Sequence, residues 1–225
     1  PDKSADKFGK IKTELLFIER CLNLLKPGGR LGIVLPEGVF NNPSLAYVRE
    51  FCEDRAYIRA VVSLPQDAFF STGASVKTSL LFMQRYSEKE QAKYDAEQKK
   101  AQAETEAKYS KEIKAETDRL TAEIETAKKA RDVEKRKAVQ KVLADYERAM
   151  AEKTAAEARA LLKARMDYLI FMYEAAHVGI TATGEADSNE LYPNDELPPG
   201  IDKSCLELYR QFRKSPDDFA KQVNA

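Results

Sequence analysis

Between Gly73 and Gly179 the chain contains neither glycine nor proline, which confines a long middle stretch to secondary structure without breaks. From Glu88 onward this stretch is built largely of Ala, Glu, Lys and Gln, all strong helix formers. Tyr109, Ile113, Leu120, Ile124 and Ala127 recur at close to coiled-coil intervals, and Val139, Val142, Tyr146, Ala149, Ala156 and Ala160 fit a heptad. Two stripes of similar length predict an antiparallel helical hairpin that turns near Lys128 to Val133. Each arm would hold about 40 residues and reach roughly 60 Å at ~1.5 Å per residue. A single continuous rod would leave the apolar segment Tyr168-Leu169-Ile170-Phe171-Met172 far from any core. The expected organisation is therefore a body at 1–87, a hairpin insertion at 88–165, and a return at 166–225 by a helix, a loop and C-terminal helices packing on the body.

The flanks carry α/β periodicity. Leu15, Ile18, Leu22 and Leu25 lie on one helical face, and Pro27-Gly28-Gly29 ends that helix. Leu31-Gly32-Ile33-Val34-Leu35 is a short apolar run that predicts a strand buried on both faces. Asn42 before Pro43 predicts a capped helix through Leu45, Val48, Phe51 and Cys52. Tyr57–Leu64 and Val76–Phe82 predict two more strands, antiparallel and joined by a long loop from Pro65 to Ser75. After Gly179 the chain is loop-like until Leu206, Tyr209 and Phe212 mark a short helix, and Ser215-Pro216-Asp217-Asp218 opens a last turn with acid at its positive end.

Composition removes several functional classes. Lys and Arg number 37 and so do Asp and Glu, so no bulk field draws the chain to nucleic acid and any such contact must be local. The mean hydropathy of -0.54 fits one domain diluted by a polar excursion. Nothing resembles an apolar span of about 18 residues or a secretory leader at Pro1-Asp2-Lys3-Ser4, so the expectation is a cytoplasmic protein with no membrane partner. Cys21, Cys52 and Cys205 lack paired or metal-ligand spacing and are expected as free thiols, with no metal bound. His177 is the only histidine; it is expected at a helix end without a catalytic role. Neither Gly-x-Gly-x-x-Gly nor a P-loop occurs.

Several segments, in order, resemble the adenine-N6 DNA methyltransferases of type I restriction systems. They are Glu14-Leu15-Leu16-Phe17-Ile18-Glu19, Leu25-Lys26-Pro27-Gly28-Gly29-Arg30 and Ile33-Val34-Leu35-Pro36-Glu37-Gly38, followed by Leu64-Pro65-Gln66-Asp67-Ala68-Phe69-Phe70-Ser71-Thr72-Gly73 and Val76-Lys77-Thr78-Ser79-Leu80-Leu81-Phe82. The stretch ending at Tyr168–Met172, with Val178-Gly179-Ile180 and Asn194-Asp195-Glu196-Leu197-Pro198, is similar to the end of the catalytic domain of the modification subunit. The resemblance implies an α/β fold: a partial class I methyltransferase (Rossmann-like) sheet of about three strands, interrupted by the helical hairpin. It also implies S-adenosyl-L-methionine as methyl donor of the full-length enzyme, with DNA and the specificity and restriction subunits as partners. The Asn-Pro-Pro-aromatic tetrapeptide and the cofactor loop of that family lie upstream of its first matching helix, and neither occurs here. The expectation is a C-terminal portion, inactive alone and holding cofactor weakly.

Extruding a base from a duplex needs an aromatic face to replace lost stacking, with hydroxyl and basic groups on the backbone. Phe69, Phe70, Ser71, Thr72, Lys77 and Thr78 supply those types, beside Pro36 and Glu37 at a strand exit, where open α/β sheets place ligands. The resemblance implies that one aromatic of this motif stacks on the adenine, Phe70 before Phe69. Lys128, Lys129, Arg131, Lys135, Arg136 and Lys137 cluster at the expected hairpin tip, a candidate contact for DNA or a partner. The edge of the Leu31–Leu35 strand is a candidate for self-association. Two other readings remain open: a non-enzymatic coiled-coil interaction module, and a methyltransferase acting on RNA or protein.

Overall fold

The computed structural model describes residues 12–195 and 197–223; the leader reading at Pro1–Ser4 lies outside them. Two compact units form, one drawn from residues 1–89 and 168–225, the other from residues 90–167.

In the first unit, helix α1 (Thr13–Leu24) buries Leu15, Ile18 and Leu22, the stripe read from the sequence. Pro27 then blocks continuation and Gly28 turns the chain at φ 76°. Strand β1 (Arg30–Pro36) follows. A short helix α2 (Gly38–Asn41) leads to Asn42, whose side chain accepts from the Ser44 amide and opens a 3-10 turn at Pro43–Leu45. Helix α3 (Ala46–Glu53) buries Val48 and Cys52. Strands β2 (Ala56–Ser63) and β3 (Thr78–Arg85) pair antiparallel across the long loop, as expected for two strands joined by a loop without helical period. The Arg85 guanidinium donates to the Leu22 and Leu25 carbonyls, so the end of β3 caps the end of α1.

The sheet has four strands in the order β1-β3-β2-β4, where β4 is Phe171–Glu174. β4 runs parallel to β2, with Ala60 opposite Phe171 and Ser63 opposite Glu174. This corrects the expectation of about three strands and of a return helix reaching Met172. A five-residue apolar run carries no period of its own. The free side of β2 decides it: a bulge between Ile58 and Ala60 leaves the Ile58 amide to donate to Tyr168 Oη at 3.1 Å.

Helices α1 and α3 cover one face of the sheet through Leu35, Leu81, Met83 and Ala56. On the other face Ala60, Val62, Leu64 and Phe171 pack against α6 (Cys205–Lys214) and α7 (Pro216–Val223). α6 begins with a capping box in which Ser204 and Glu207 bond reciprocally. A second, two-stranded sheet, β5 (Val178–Ile180) with β6 (Ala186–Asn189), fills the chain between β4 and α6.

The expected burial of Leu31–Leu35 on both faces does not hold. β1 pairs only with β3 among the described residues, Leu35 alone is fully buried, and Val34 is 48% exposed. An edge strand covered on one side alternates, and the apolar residues on its outer side hid that alternation. His177 also departs from expectation: it lies between β4 and β5, not at a helix end. Cys52 and Cys205 are buried and Cys21 is half-buried, all free.

The second unit is the hairpin, with α4 (Glu88–Lys129) and α5 (Val133–Arg165) antiparallel. Lys108 and Glu157 form an ion pair, Tyr109 Oη donates to Glu157 Oε2 at 2.6 Å, and Arg165 pairs with Glu104 at 2.5 Å. Leu120 and Ala127 of the expected α4 stripe are buried. Past Val139 the α5 stripe drifts from the expected one: Tyr146 stays half-buried, and the buried positions then fall one to two residues later. Val142 is 52% exposed and Ala149, Ala156 and Ala160 face outward, while Met150, Ala158 and Leu162 are buried. Alanine is too common in this helix to mark the seam; the larger Met150 and Leu162 set it.

Candidate functional site

Strands β1, β2 and β4 run in one direction and β3 runs against them. The carboxyl ends of three strands and the start of β3 therefore meet at one end of the sheet. Pro36 sits opposite Thr78, and Ser63 opposite Ser79. The Glu37 amide donates to the Lys77 carbonyl at 2.9 Å, and the Leu64 amide to the Thr78 carbonyl at 3.1 Å. Four of the residues singled out from sequence, Pro36, Glu37, Lys77 and Thr78, are thus brought together by strand register.

Their side chains are differently engaged. Ser79, 2% exposed, donates through Oγ to Glu37 Oε2 at 2.8 Å, which fixes one carboxylate oxygen at the strand exit. Lys77 Nζ pairs with Glu174 Oε1 at 3.4 Å. Thr78 Oγ1 is buried with no hydrogen-bond partner among the described residues. Ser79 and Glu174 were not picked out from sequence. The first belonged to the apolar strand pattern; the second lies on the strand that the sequence reading missed.

The other four candidates share one turn of the connecting loop. Gln66 Nε2 donates to the Ser75 carbonyl at 2.7 Å and closes the base of the loop. Phe70–Thr72 form a 3-10 turn ended by Gly73 at φ 86°, with the Thr72 hydroxyl donating to the Phe69 carbonyl at 2.8 Å. The two phenylalanines then part. Phe69 is half-buried and packs against the cluster around Val62 and Leu64, whereas Phe70 is 43% exposed. Ser71 and Thr72 are exposed. The β5–β6 turn closes on this loop: at Gly184, φ 92°, an added Cβ would stand 3.3 Å from Ser71 Cβ.

Behind the loop, a buried carboxylate ties the elements together. Glu190, 2% exposed, accepts from Tyr173 Oη at 2.6 Å and from the amides of Ala176 and His177. Burial, and then the hydrogen bond to Glu190, push the Tyr173 hydroxyl well above its ordinary pKa. His177 Nδ1 stands 3.3 Å from Asp187 Oδ2.

A cavity of about 650 Å³ lies on the sheet face under α6, lined by Arg30, Gly32, Arg59, Phe82, Tyr168 and Arg213 among others. None of the candidate residues lines it. No group of three or more His, Cys, Asp or Glu side chains suited to a metal occurs among the described residues.

An α/β sheet with a long strand-end loop and an inserted helical hairpin defines the class, and comparison with known proteins supplies the family. The model of the N-6 DNA methylase family matches residues 5–158, and the chain belongs to that family. It is 31% identical over 70 residues to the methylase subunit of the type I restriction enzyme EcoKI of Escherichia coli, and equally to that of StySJI of Salmonella typhimurium. Each match covers 31% of this chain and 13% of the relative, so the chain spans a small part of the length of those relatives. Two solved structures overlap it with a TM-score of 0.30. One is a Listeria monocytogenes protein assigned to the class I S-adenosylmethionine-dependent methyltransferases, at 28% identity over 33% of this chain and 22% of that one. The other comes from a study of complex assembly and conformational transition in a type I restriction-modification system, at 39% identity over 32% of this chain and 15% of that one.

The cavity under α6 does not suit the sulfonium of the methyl donor of such enzymes. S-adenosylmethionine carries an ammonium and a sulfonium cation beside one carboxylate, while the wall of that cavity has three arginines and no acidic side chain to face the sulfonium. The β1–α2 turn is Glu37-Gly38 and is not glycine-rich. No helix among the described residues is long and apolar enough to cross a membrane.

Proposed function

We propose that this chain is the target-base portion of an S-adenosylmethionine-dependent adenine-N6 DNA methyltransferase of a restriction-modification system. The cofactor cradle and the Asn-Pro-Pro-aromatic group come from polypeptide other than the described residues, and the chain alone does not transfer methyl. The exposed ring of Phe70 carries this reading. An aromatic held 43% exposed on a hydrogen-bonded 3-10 turn, in a family that modifies DNA, is suited to replace the stacking an extruded adenine loses. Thr78 and Lys77 act on the sugar-phosphate of the flipped nucleotide, with Ser71 beside them, while Thr72 holds the turn through its bond to the Phe69 carbonyl. Pro36 and Glu37 wall the strand exit, and Phe69 supports the turn from below. The holoenzyme assembles with specificity and restriction subunits, which supply the recognition sequence.

The test uses the complete methylase carrying this segment, with labelled S-adenosylmethionine and nucleoside analysis of the product. Loss of one base-aromatic stack is worth about 1–3 kcal/mol, so Phe70→Ala lowers kcat/KM roughly 5- to 150-fold. Phe69→Ala instead lowers the unfolding midpoint. Turnover unchanged by Phe70→Ala removes the stacking role, and methylated RNA or protein in place of N6-methyladenine removes the substrate assignment.

A further inference from the structure

The charge of the hairpin is not spread evenly. From Lys128 to Lys141 there are seven basic residues and two acidic ones, whereas residues 88–127 hold eleven acidic and eight basic. The acids within this basic tip are already engaged. Asp132 caps α5 by accepting from the Lys135 amide at 2.9 Å, and Glu134 lies 3.5 Å from Lys137. Among the described residues, Lys129, Arg131, Lys135, Arg136 and Lys141 have no acidic side-chain partner.

Arg131 adds a backbone observation. Its φ of 57° is the only positive value at a non-glycine among the described residues. Glycine or asparagine would occupy a left-handed turn position at lower cost, yet a long cation stands there. The tip also lacks what a protein partner would need: Val133 is the only exposed large hydrophobic residue from 128 to 141, and no aromatic is present. Protein interfaces take their energy from buried aromatic and aliphatic anchors, while phosphate backbones are held by unpaired Lys and Arg.

We propose that the α4–α5 tip is a sequence-independent duplex-DNA clamp, in which Lys129, Arg131, Lys135 and Lys141 contact backbone phosphates. This goes beyond the base-pocket reading and stands or falls separately from it. Because the whole chain has no net charge, the tip is the local source of attraction that its composition otherwise denies.

The test is fluorescence anisotropy of the full chain with a mixed-sequence duplex of about 20 base pairs, from 50 to 200 mM salt. One variant neutralises the tip (Lys129→Gln, Arg131→Gln, Lys135→Gln, Lys141→Gln). A control neutralises the shaft instead (Lys93→Gln, Lys99→Gln, Lys111→Gln, Lys114→Gln), with circular dichroism checking helicity of both. Four phosphate contacts contribute about 3.6 to the slope of log K against log salt. Wild type should therefore lose roughly 150-fold more affinity across that range than the tip variant does, and the shaft variant should behave as wild type. Equal slopes for wild type and tip variant overturn the proposal, as does an equal loss in the shaft control. Stronger competition by polyglutamate than by unlabelled duplex would assign the tip to an acidic protein. Phe70→Ala leaves this slope unchanged, so a failed base-pocket reading and a failed clamp give different results.

Discussion

Removing the Glu190 carboxylate should loosen the elements behind the candidate loop, by an amount that depends on the replacement. Glu190 Oε1 accepts from two backbone amides, of Ala176 and His177, and Oε2 accepts from Tyr173 Oη at 2.6 Å. Its own carbonyl accepts from the Cys205 amide at 2.7 Å, so the residue joins the β4–β5 connection to the start of α6. Glu190→Ala leaves two amides and one hydroxyl without an acceptor where the 2% exposed carboxylate stood; Ala176 is exposed and Tyr173 and His177 are half-buried, so each orphan falls in the lower half of about 1–3 kcal/mol. A total near 3–5 kcal/mol is expected. Glu190→Gln keeps a carbonyl oxygen on the two amides, and the tyrosine hydroxyl can turn to accept from the carboxamide. Only the charge assistance is lost, about 1–2 kcal/mol. The chain has no tryptophan and the hairpin dominates any helical signal, so the readout is amide exchange at Ala176 and His177, backed by urea unfolding followed through tyrosine fluorescence. Protection at these amides should collapse in the alanine variant and persist in the glutamine variant. Equal loss of protection in both, or an alanine cost below about 1 kcal/mol, would refute the view that this carboxylate is the staple.

The remaining expectations are local. Burial pushes the Cys52 thiol up to about 12 and the Cys205 thiol up to about 11. Both stay protonated when folded, so the stability they contribute is intact below the ordinary thiol pKa near 9 and is lost as pH rises from there towards the folded values. Alkylation at pH 8 should reach Cys21 first, and rapid labelling of Cys52 in the folded chain would contradict its burial. In the hairpin, Met150→Ala should cost about 2–5 kcal/mol and Val142→Ala under about 0.5 kcal/mol by thermal melting; the reverse order would restore the heptad phase read from sequence. The outward edge of β1 should draw copies of the chain together, so sedimentation should show association that Val34→Lys reduces. A monomer at all concentrations would show the edge to be protected.

Legibility in the sequence followed how strongly each residue's neighbours constrain it. The hairpin was readable because more than a hundred residues without a breaker leave few alternatives, and its turn was placed by the two apolar stripes of similar length on either side. Its seam was not, since alanines populate every face of α5 and only the packing of Met150 and Leu162 shows which side is inward. The strand-end loop was readable as a motif, and the register that joins Pro36 to Thr78 follows from antiparallel pairing. What escaped was long-range. β4 exists because β2 has a free side to pair with, and Glu190 is buried because three donors from 13 to 17 residues upstream converge on it. Neither leaves a period or a spacing in the chain.

The two phenylalanines show why residue type alone underdetermines a site. Side by side in sequence, they offer the same ring, and the resemblance could only rank them. The 3-10 turn separates them: its carbonyl of Phe69 is taken by Thr72 and Ala74, fixing that residue inward against Leu64, while Phe70 projects at the turn's start. A substitution that keeps the ring but relaxes the turn therefore distinguishes position from chemistry. Thr72→Val removes the hydroxyl bond to the Phe69 carbonyl, worth about 1 kcal/mol, without touching either ring. If the turn aims Phe70 at the base, this variant of the complete methylase should lose part of the kcat/KM lost by Phe70→Ala, and the double variant should lose no more than Phe70→Ala alone. Additive losses would mean that Thr72 contacts the substrate directly and that the turn does not position the ring.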